Sequence, residues 1–187
     1  TVLSRGLGDV YKRQCHACSE VRPEYDVHRS LFLYSPMMKK MVHRFKYQTQ
    51  TWLVHFLKDY YANVKTCFEG VDCIVPVPLH KKRLKMRGFN QSQLLANSWA
   101  SVLNKPIGEF LIRTQETQSQ TALTRKQRFQ NLKNAFVTEG SPLEHKHVLL
   151  VDDVHTTGAT LSSAAAVLKK AGAKTVSATS IAIVPSR

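Results

Sequence analysis

The sequence lacks long apolar runs and is poor in acidic residues. No stretch approaches the roughly twenty apolar residues that a membrane-spanning helix needs. No secretory signal peptide is visible either, so we expect a cytoplasmic protein without membrane insertion. Asp and Glu together number 13 against 27 Lys and Arg, which gives a net charge of +14. This excess predicts an anionic partner: nucleic acid, a membrane surface or a phosphorylated small molecule.

Cysteine is scarce, with four residues in 187. Cys15 and Cys18 have the spacing of half a zinc site, because two thiolates three positions apart can share one tetrahedral ion. Cys67 and Cys73 lack that spacing, and Cys73 lies inside an apolar run. We therefore interpret Cys67 and Cys73 as free, buried thiols. Cys15 and Cys18 stay candidate zinc ligands only if further cysteines precede them.

Apolar residues alternate between strand-like and helix-like spacing along the chain. Strands are predicted at 31–34, 71–78, 110–113, 135–137, 148–151 and 176–184, with helices from 36, from 52, from 92 or 93 and over 160–170. A basic loop is predicted up to residue 88, and a long polar surface loop over 114–134. Strands that alternate with helices predict one α/β domain with a mainly parallel sheet.

Two adjacent carboxylates, Asp152 and Asp153, follow the most apolar strand and precede a Thr- and Gly-rich loop that opens a helix. Ligands of open α/β sheets gather at such strand ends, and backbone N–H groups at a helix start bind anions. A sugar phosphate fits both features. Neither a Walker A loop nor a dinucleotide fingerprint is present. The alternative, that the acidic pair only caps the helix, needs one Asp rather than two.

The stretch VLLVDDVHTTGAT over 148–160 resembles the phosphoribosyl pyrophosphate (PRPP) motif of type I phosphoribosyltransferases. The resemblance implies a type I phosphoribosyltransferase fold, with helices flanking the parallel sheet and a small hood. It implies that Asp152 and Asp153 contact the ribose hydroxyls. It also implies that the 5′-phosphate is bound by Thr156, Thr157, Gly158, Ala159 and Thr160.

Two further segments, VPVPLHKKRLKMRGFNQSQLLA over 75–96 and QTALTRKQRFQNLKNAF over 120–136, resemble the ComF (competence protein F) family. Since PRPP carries a pyrophosphate, a second anion site is needed, and a basic strand end fits it. The residues that we expect to bind pyrophosphate are Leu79, His80, Lys81, Arg83 and Arg87. The resemblance further implies a lid over PRPP, formed by Gln120, Leu123, Arg125, Arg128 and Asn131.

Members of this family also carry an N-terminal zinc element built from two CxxC pairs, of which Cys15 and Cys18 match the second. Residues 15–30 are therefore expected to be a truncated remnant of this zinc knuckle, and Zn²⁺ is expected only where both pairs are present. Residues 1–14 resemble translated library-adapter sequence and are expected to be a non-native leader. The phosphoribosyltransferase domain is then expected over 31–187.

Two functions remain open from the sequence. The first is an Mg²⁺-dependent phosphoribosyltransferase that displaces pyrophosphate from C1 of PRPP with an unknown acceptor, in a cell process linked to DNA uptake. In that reaction Mg²⁺ bridges pyrophosphate and ribose oxygens. The second is a non-catalytic module with a PRPP fold that binds single-stranded DNA or a helicase partner in DNA uptake.

Overall fold

The computed structural model describes residues 22–47, 52–116, 132, 134–140 and 143–185. Four parallel strands form the central sheet in the order β1-β6-β5-β2. These strands are β1 (Val27–Leu33), β2 (Cys73–Pro76), β5 (His147–His155) and β6 (Thr175–Ile183). A separate antiparallel pair consists of β3 (Leu111–Arg113) and β4 (Phe136–Thr138). The prediction of a mainly parallel sheet is confirmed.

Five α-helices lie in the described ranges, together with a short 3-10 helix. They are α1 (Pro36–Tyr47), α2 (Trp52–Tyr61), α3 (Lys81–Arg87), α4 (Gln91–Leu103) and α5 (Ala159–Lys170), and the 3-10 helix is Lys65–Phe68. In these ranges no helix combines the length and the apolar character needed to cross a membrane.

The central sheet is buried on both faces because its middle strands are continuous apolar runs. On one face, Val148 and Leu150 of β5 join a core with apolar residues of α5 and of β4. On the other, Leu149 and Val151 join residues of α1, α2 and α4. Trp99 is 1% exposed there and packs against two aromatic rings of the same core. This layering places the carboxyl ends of β2 and β5 at a shared edge.

The acidic pair lies within β5 and not after it, which corrects the predicted end of this strand at residue 151. Asp152 pairs with Ser180 of β6, and the ladder continues to His155 opposite Ile183. The Asp side chains end the apolar pattern that the prediction depended on, but they leave backbone pairing with β6 intact.

The segment 81–87 is a helix rather than the predicted basic loop. The ring of His80 accepts a hydrogen bond from the backbone N–H of Lys82 at 3.4 Å and caps the start of α3. Gly88 ends α3 with a φ of 79°, a left-handed conformation in which glycine carries no steric cost. No residue of α3 is buried, so its sequence has no apolar face from which a helix could be predicted.

Two smaller predictions also need correction. Cys67 is exposed, whereas Cys73 is buried as expected, and burial raises the pKa of the Cys73 thiol. The strand predicted from residue 31 begins at Val27. Residues 27–30 therefore belong to the central sheet.

Candidate functional site

The loop between β5 and α5 contains a glycine that no other residue can replace without strain. Gly158 has a φ of 79° and occupies the N-cap of α5. A Cβ atom there would lie 2.7 Å from Nε2 of His155 and 2.8 Å from Oη of Tyr25. These two buried side chains hydrogen-bond to each other at 2.8 Å. The backbone of the loop is thus held closely against β5, with the N–H groups at the start of α5 beside it.

The carboxyl group of Asp152 accepts two hydrogen bonds at the same oxygen. Ser92 Oγ of α4 donates to Oδ1 at 3.2 Å, and the backbone N–H of Asp153 donates to it at 2.8 Å. Burial, together with the neighbouring charge of Asp153, raises the pKa of Asp152 to about 7. Asp152 is therefore a half-buried acid whose neutral form persists to higher pH than that of a free carboxyl.

Asp153 forms an ion pair with Lys46, the residue before the last of α1. Lys46 Nζ lies 2.8 Å from Asp153 Oδ2, and the two side chains are 24% and 14% exposed. Burial lowers the pKa of Lys46, but the charge of Asp153, its hydrogen bond and the charge of Asp152 together outweigh this and raise it. The ammonium group thus stays charged beside the acidic pair.

A guanidinium group, that of Arg113, also interacts with Asp152. Arg113 is 7% exposed and lies over the ring of Phe136 at 5.5 Å. Burial lowers the pKa of Arg113, the charges of Arg83 and Arg87 lower it further, and Asp152 opposes them. Buried like charges of this kind cost free energy that a bound anion would offset. The neighbourhood holds two carboxylates and four cationic groups: Asp152, Asp153, Lys46, Arg83, Arg87 and Arg113.

The structure places the predicted pyrophosphate residues along and before α3. Arg83 and Arg87 lie within electrostatic reach of Arg113, and through it of the acidic pair. His80 caps α3, Lys81 begins that helix and is exposed, and Leu79 precedes the cap.

Two other sets of predicted residues lie outside the described ranges. They are the lid residues Gln120, Leu123, Arg125, Arg128 and Asn131, and the candidate zinc ligands Cys15 and Cys18. Among the residues that are described, no group of three or more His, Cys, Asp or Glu side chains could hold a metal ion.

Three residues of this site were not predicted as site residues: Lys46, Ser92 and Arg113. Ser92 was recognised only as a possible helix start, and Arg113 only as one basic residue among many. Lys46 gave no local signal, because its contact with Asp153 joins α1 to a strand far along the chain. These residues could be assigned to the acidic pair only if the order of strands and helices in the fold were already known.

Comparison with known proteins gives a consistent result. A family described as phosphoribosyl transferase domain matches residues 90–186. Competence protein F of Haemophilus influenzae is 33% identical over 175 residues, which cover 89% of this chain and 76% of that protein. DNA utilization protein YhgH of Escherichia coli O6:H1 is 32% identical over 169 residues, covering 87% and 74%.

Two further proteins are also similar. Competence protein ComFC of Bacillus subtilis is 34% identical over 161 residues, covering 84% of this chain and 64% of that protein. A purine phosphoribosyltransferase from Pyrococcus horikoshii aligns over 71% of this chain and 74% of its own, at 19% identity and a TM-score of 0.45.

Proposed function

The chain belongs to the ComF family within the phosphoribosyltransferase superfamily, and from this premise we propose that it binds PRPP with Mg²⁺ and transfers the phosphoribosyl group to an acceptor nucleophile. One observation carries the proposal. The acidic pair of β5 is followed along the chain by the glycine-bearing start of α5, and it interacts with half-buried Lys46 and buried Arg113. A ligand with hydroxyl groups flanked by two anionic groups matches this order of donors and acceptors.

In this proposal the ribose hydroxyls donate hydrogen bonds to Asp152 and Asp153. The 5′-phosphate accepts hydrogen bonds from Thr156, Thr157 and the backbone N–H groups that follow. The close packing of Gly158 on His155 and Tyr25 supports this assignment, because it fixes the loop before the ligand arrives. A preformed anion site loses little conformational entropy on binding.

The pyrophosphate is assigned to the cationic side of the acidic pair. Arg113 and Arg87 are the strongest candidates, since Arg113 interacts with Asp152 and the mutual repulsion of the two guanidinium groups is relieved by an anion. A buried nitrogen of Arg87, Nε, has no hydrogen-bond partner among the residues that the structure describes. Buried donors of this kind cost free energy unless they are paired, so a phosphate oxygen at this position would stabilise the site. Leu79, His80, Lys81 and Arg83 stay in the proposal at the entrance to this region.

Magnesium fits the site as an ion carried by the ligand. Mg²⁺ is usually held by substrate phosphates, water and at most one or two carboxylates. That agrees with the absence of a metal-binding cluster in the described ranges. When bound, Mg²⁺ would neutralise charge on the pyrophosphate leaving group.

The residues of the chain would act by positioning and by stabilising charge, and no covalent nucleophile is required. Asp152 and Asp153 would fix the ribose ring relative to the loop at Gly158. Arg87 and Arg113 would stabilise the negative charge that grows on pyrophosphate as its bond to C1 breaks. The acceptor would then bond to C1 from the opposite direction.

The test is pyrophosphate release from PRPP in the presence of Mg²⁺ and a panel of nucleobases and other nitrogen nucleophiles. We expect release with at least one acceptor, and a loss of at least about a hundredfold in the Asp152→Ala/Asp153→Ala variant. Asp59→Ala on α2 is the matched control, because Asp59 is an exposed carboxylate. Release at background level with every acceptor, or unchanged release in the double variant, would refute transfer.

A second candidate function is a non-catalytic module that handles DNA. Its support is the net charge of +14 and the names of the relatives, which refer to competence and DNA utilization. We then expect single-stranded DNA to bind with a steep dependence on salt. Binding that persists when PRPP is saturating would favour a separate DNA surface. Competition by PRPP would mean that DNA phosphates only enter the PRPP site.

A further inference from the structure

The C-terminal turn of α1 contributes a charged group to the acidic pair. Lys46 Nζ lies 2.8 Å from Asp153 Oδ2, and both side chains are largely shielded from water. A shielded ion pair is screened far less than one on the surface. Lys46 is therefore part of the local electrostatics of the site and not a solvated surface residue.

The end of α1 is fixed in place by contacts with α3 and α4. Phe45 is fully buried beside Lys46. The side-chain amide of Gln91 donates to the backbone carbonyl of Lys46 at 3.4 Å, and Arg87 Nη1 donates to Gln91 Oε1 at 3.0 Å. Arg87 Nη2 also donates to Tyr47 Oη at 3.4 Å. The position of the ammonium group is thus set by packing as well as by its attraction to Asp153.

This arrangement divides the two oxygens of Asp153 between two tasks. Oδ2 accepts from Lys46, which leaves Oδ1 available for a hydroxyl group. We propose that Lys46 is a positioning residue for ribose recognition, which holds Asp153 as an ionised acceptor in one orientation. The inference rests on the proposed binding of PRPP, and it assigns to α1 a role that the motif around Asp153 does not contain.

The effect of removing Lys46 on ligand binding depends on the charges around it. The charges that act on Lys46 are those of Asp152 and Asp153 of β5 and of Arg87 of α3. Arg113 of β3 in turn interacts with Asp152 and with Arg83 and Arg87 of α3. The charge of Lys46 lowers the pKa of Asp152, so without the ammonium group Asp152 keeps its proton to higher pH. Ribose hydroxyls donate best to ionised carboxylates, so binding should move toward alkaline pH.

The experiment is calorimetric titration of PRPP with Mg²⁺ into the whole chain between pH 5.5 and 9. The variants are Lys46→Met, Lys46→Arg and, as a matched control, the exposed Lys40→Met on the same helix. We expect the dissociation constant of Lys46→Met to rise at least about tenfold at pH 7, with its pH midpoint displaced upward. Lys46→Arg should restore most of the affinity and the midpoint, and Lys40→Met should match wild type.

A double-mutant cycle then separates positioning from a general structural effect. If Lys46 acts through Asp153, Lys46→Met should weaken binding much less in an Asp153→Asn background than in wild type. Additive losses would overturn the inference, as would an unchanged dissociation constant and midpoint in Lys46→Met. Should Lys46→Met fail to fold, as judged by urea unfolding, Lys46→Gln takes its place. Failure of the wild-type chain itself to bind PRPP would overturn the proposed function and this inference with it.

Discussion

Replacing Asp152 by Asn should stabilise the folded protein at alkaline pH while it weakens the site. Asp152 is half-buried beside Asp153, and the loss of solvent and the neighbouring charge together raise its pKa to about 7. An ionised Asp152 is therefore unfavourable in the folded state. Asn keeps an oxygen that can accept from Ser92 Oγ and from the N–H of Asp153, the two hydrogen bonds that Oδ1 receives. The substitution thus removes the charge and keeps the donors satisfied.

The magnitude follows from the pKa difference between the folded and unfolded chain. The pKa rises from 3.8 to about 7, about three units, and each unit corresponds to about 1.4 kcal/mol. The upper limit is therefore about 4 kcal/mol. This limit is already net of the attraction to Lys46. Because Asp152 is only half-buried, solvent reduces the cost of its charge, and we expect about 1–3 kcal/mol at pH 8. For a chain of this size each kcal/mol raises the Tm by about 2–4 °C.

The stability difference between Asp152→Asn and the wild type depends on pH within a defined window. Since the folded pKa is raised, the folded protein binds the proton more tightly, and wild-type stability falls as pH rises from about 4 to about 7. Asn cannot titrate, so the advantage of the variant should be near zero at pH 4, grow through this window and level off above it. Urea unfolding at pH 4, 5, 6, 7 and 8 measures this difference directly.

Asp153→Asn is the matched comparison for this experiment. It removes the ion pair with Lys46 and leaves a shielded ammonium group without its nearest anion, so it should destabilise the protein at pH 8. Two neighbouring Asp→Asn changes are thus expected to act in opposite directions. A lower stability of Asp152→Asn at pH 8, or a difference that does not vary with pH, would refute the reasoning.

Three further predictions concern other parts of the structure. Gly158→Ala should cost about 2–4 kcal/mol in urea unfolding, because it adds a clash with His155 and Tyr25 to the cost of a positive φ. Gly70→Ala, with a φ of 83° and no atom near the added Cβ, should show only the backbone cost; equal losses would contradict the clash. Trp99→Ala should cost about 3–5 kcal/mol in the same assay, since Trp99 is fully buried against Tyr61 and Phe68; a loss below about 1 kcal/mol would contradict this packing. Arg113→Met should leave stability within about 1 kcal/mol of wild type, because it also removes repulsion from Arg83 and Arg87. The same variant should weaken the binding of inorganic pyrophosphate at least about tenfold in calorimetry, and unchanged binding would remove Arg113 from the proposed pyrophosphate site.

The central sheet and its main helices could be predicted from the sequence because their buried residues form a recognisable apolar pattern in the local sequence. Val148 to Val151 form an apolar run that is fully buried in β5, and the small and apolar residues of α5 pack on one face of it. The end of β5 could not be predicted in the same way. Beyond Val151 the side chains are polar, yet the backbone ladder with β6 continues to His155. Where a strand carries polar residues of a site, its apolar side-chain pattern ends before its backbone pairing does.

The residues of the site also fall into two groups, those that the local sequence indicates and those that it does not. Asp152, Asp153 and the loop at Gly158 are adjacent in sequence, and their residue types alone indicated an anion and a sugar. The cations that complete the site come from distant elements: Lys46 from α1 and Arg113 from β3. Their positions depend on strand order and helix packing, which local patterns do not specify. The helix α3 could not be predicted for a third reason, since it has no fully buried residue and depends on His80 and Gly88 at its ends.

The most direct test of the central claim is the binding of PRPP itself. Calorimetry with Mg²⁺ at pH 8 should show saturable binding of one PRPP per chain in the wild-type protein. The Asp152→Ala/Asp153→Ala variant, checked for folding by urea unfolding, should show no binding at the same concentrations. Absence of binding to the wild-type chain at millimolar PRPP, or equal affinity in the folded double variant, would contradict the assignment of this site.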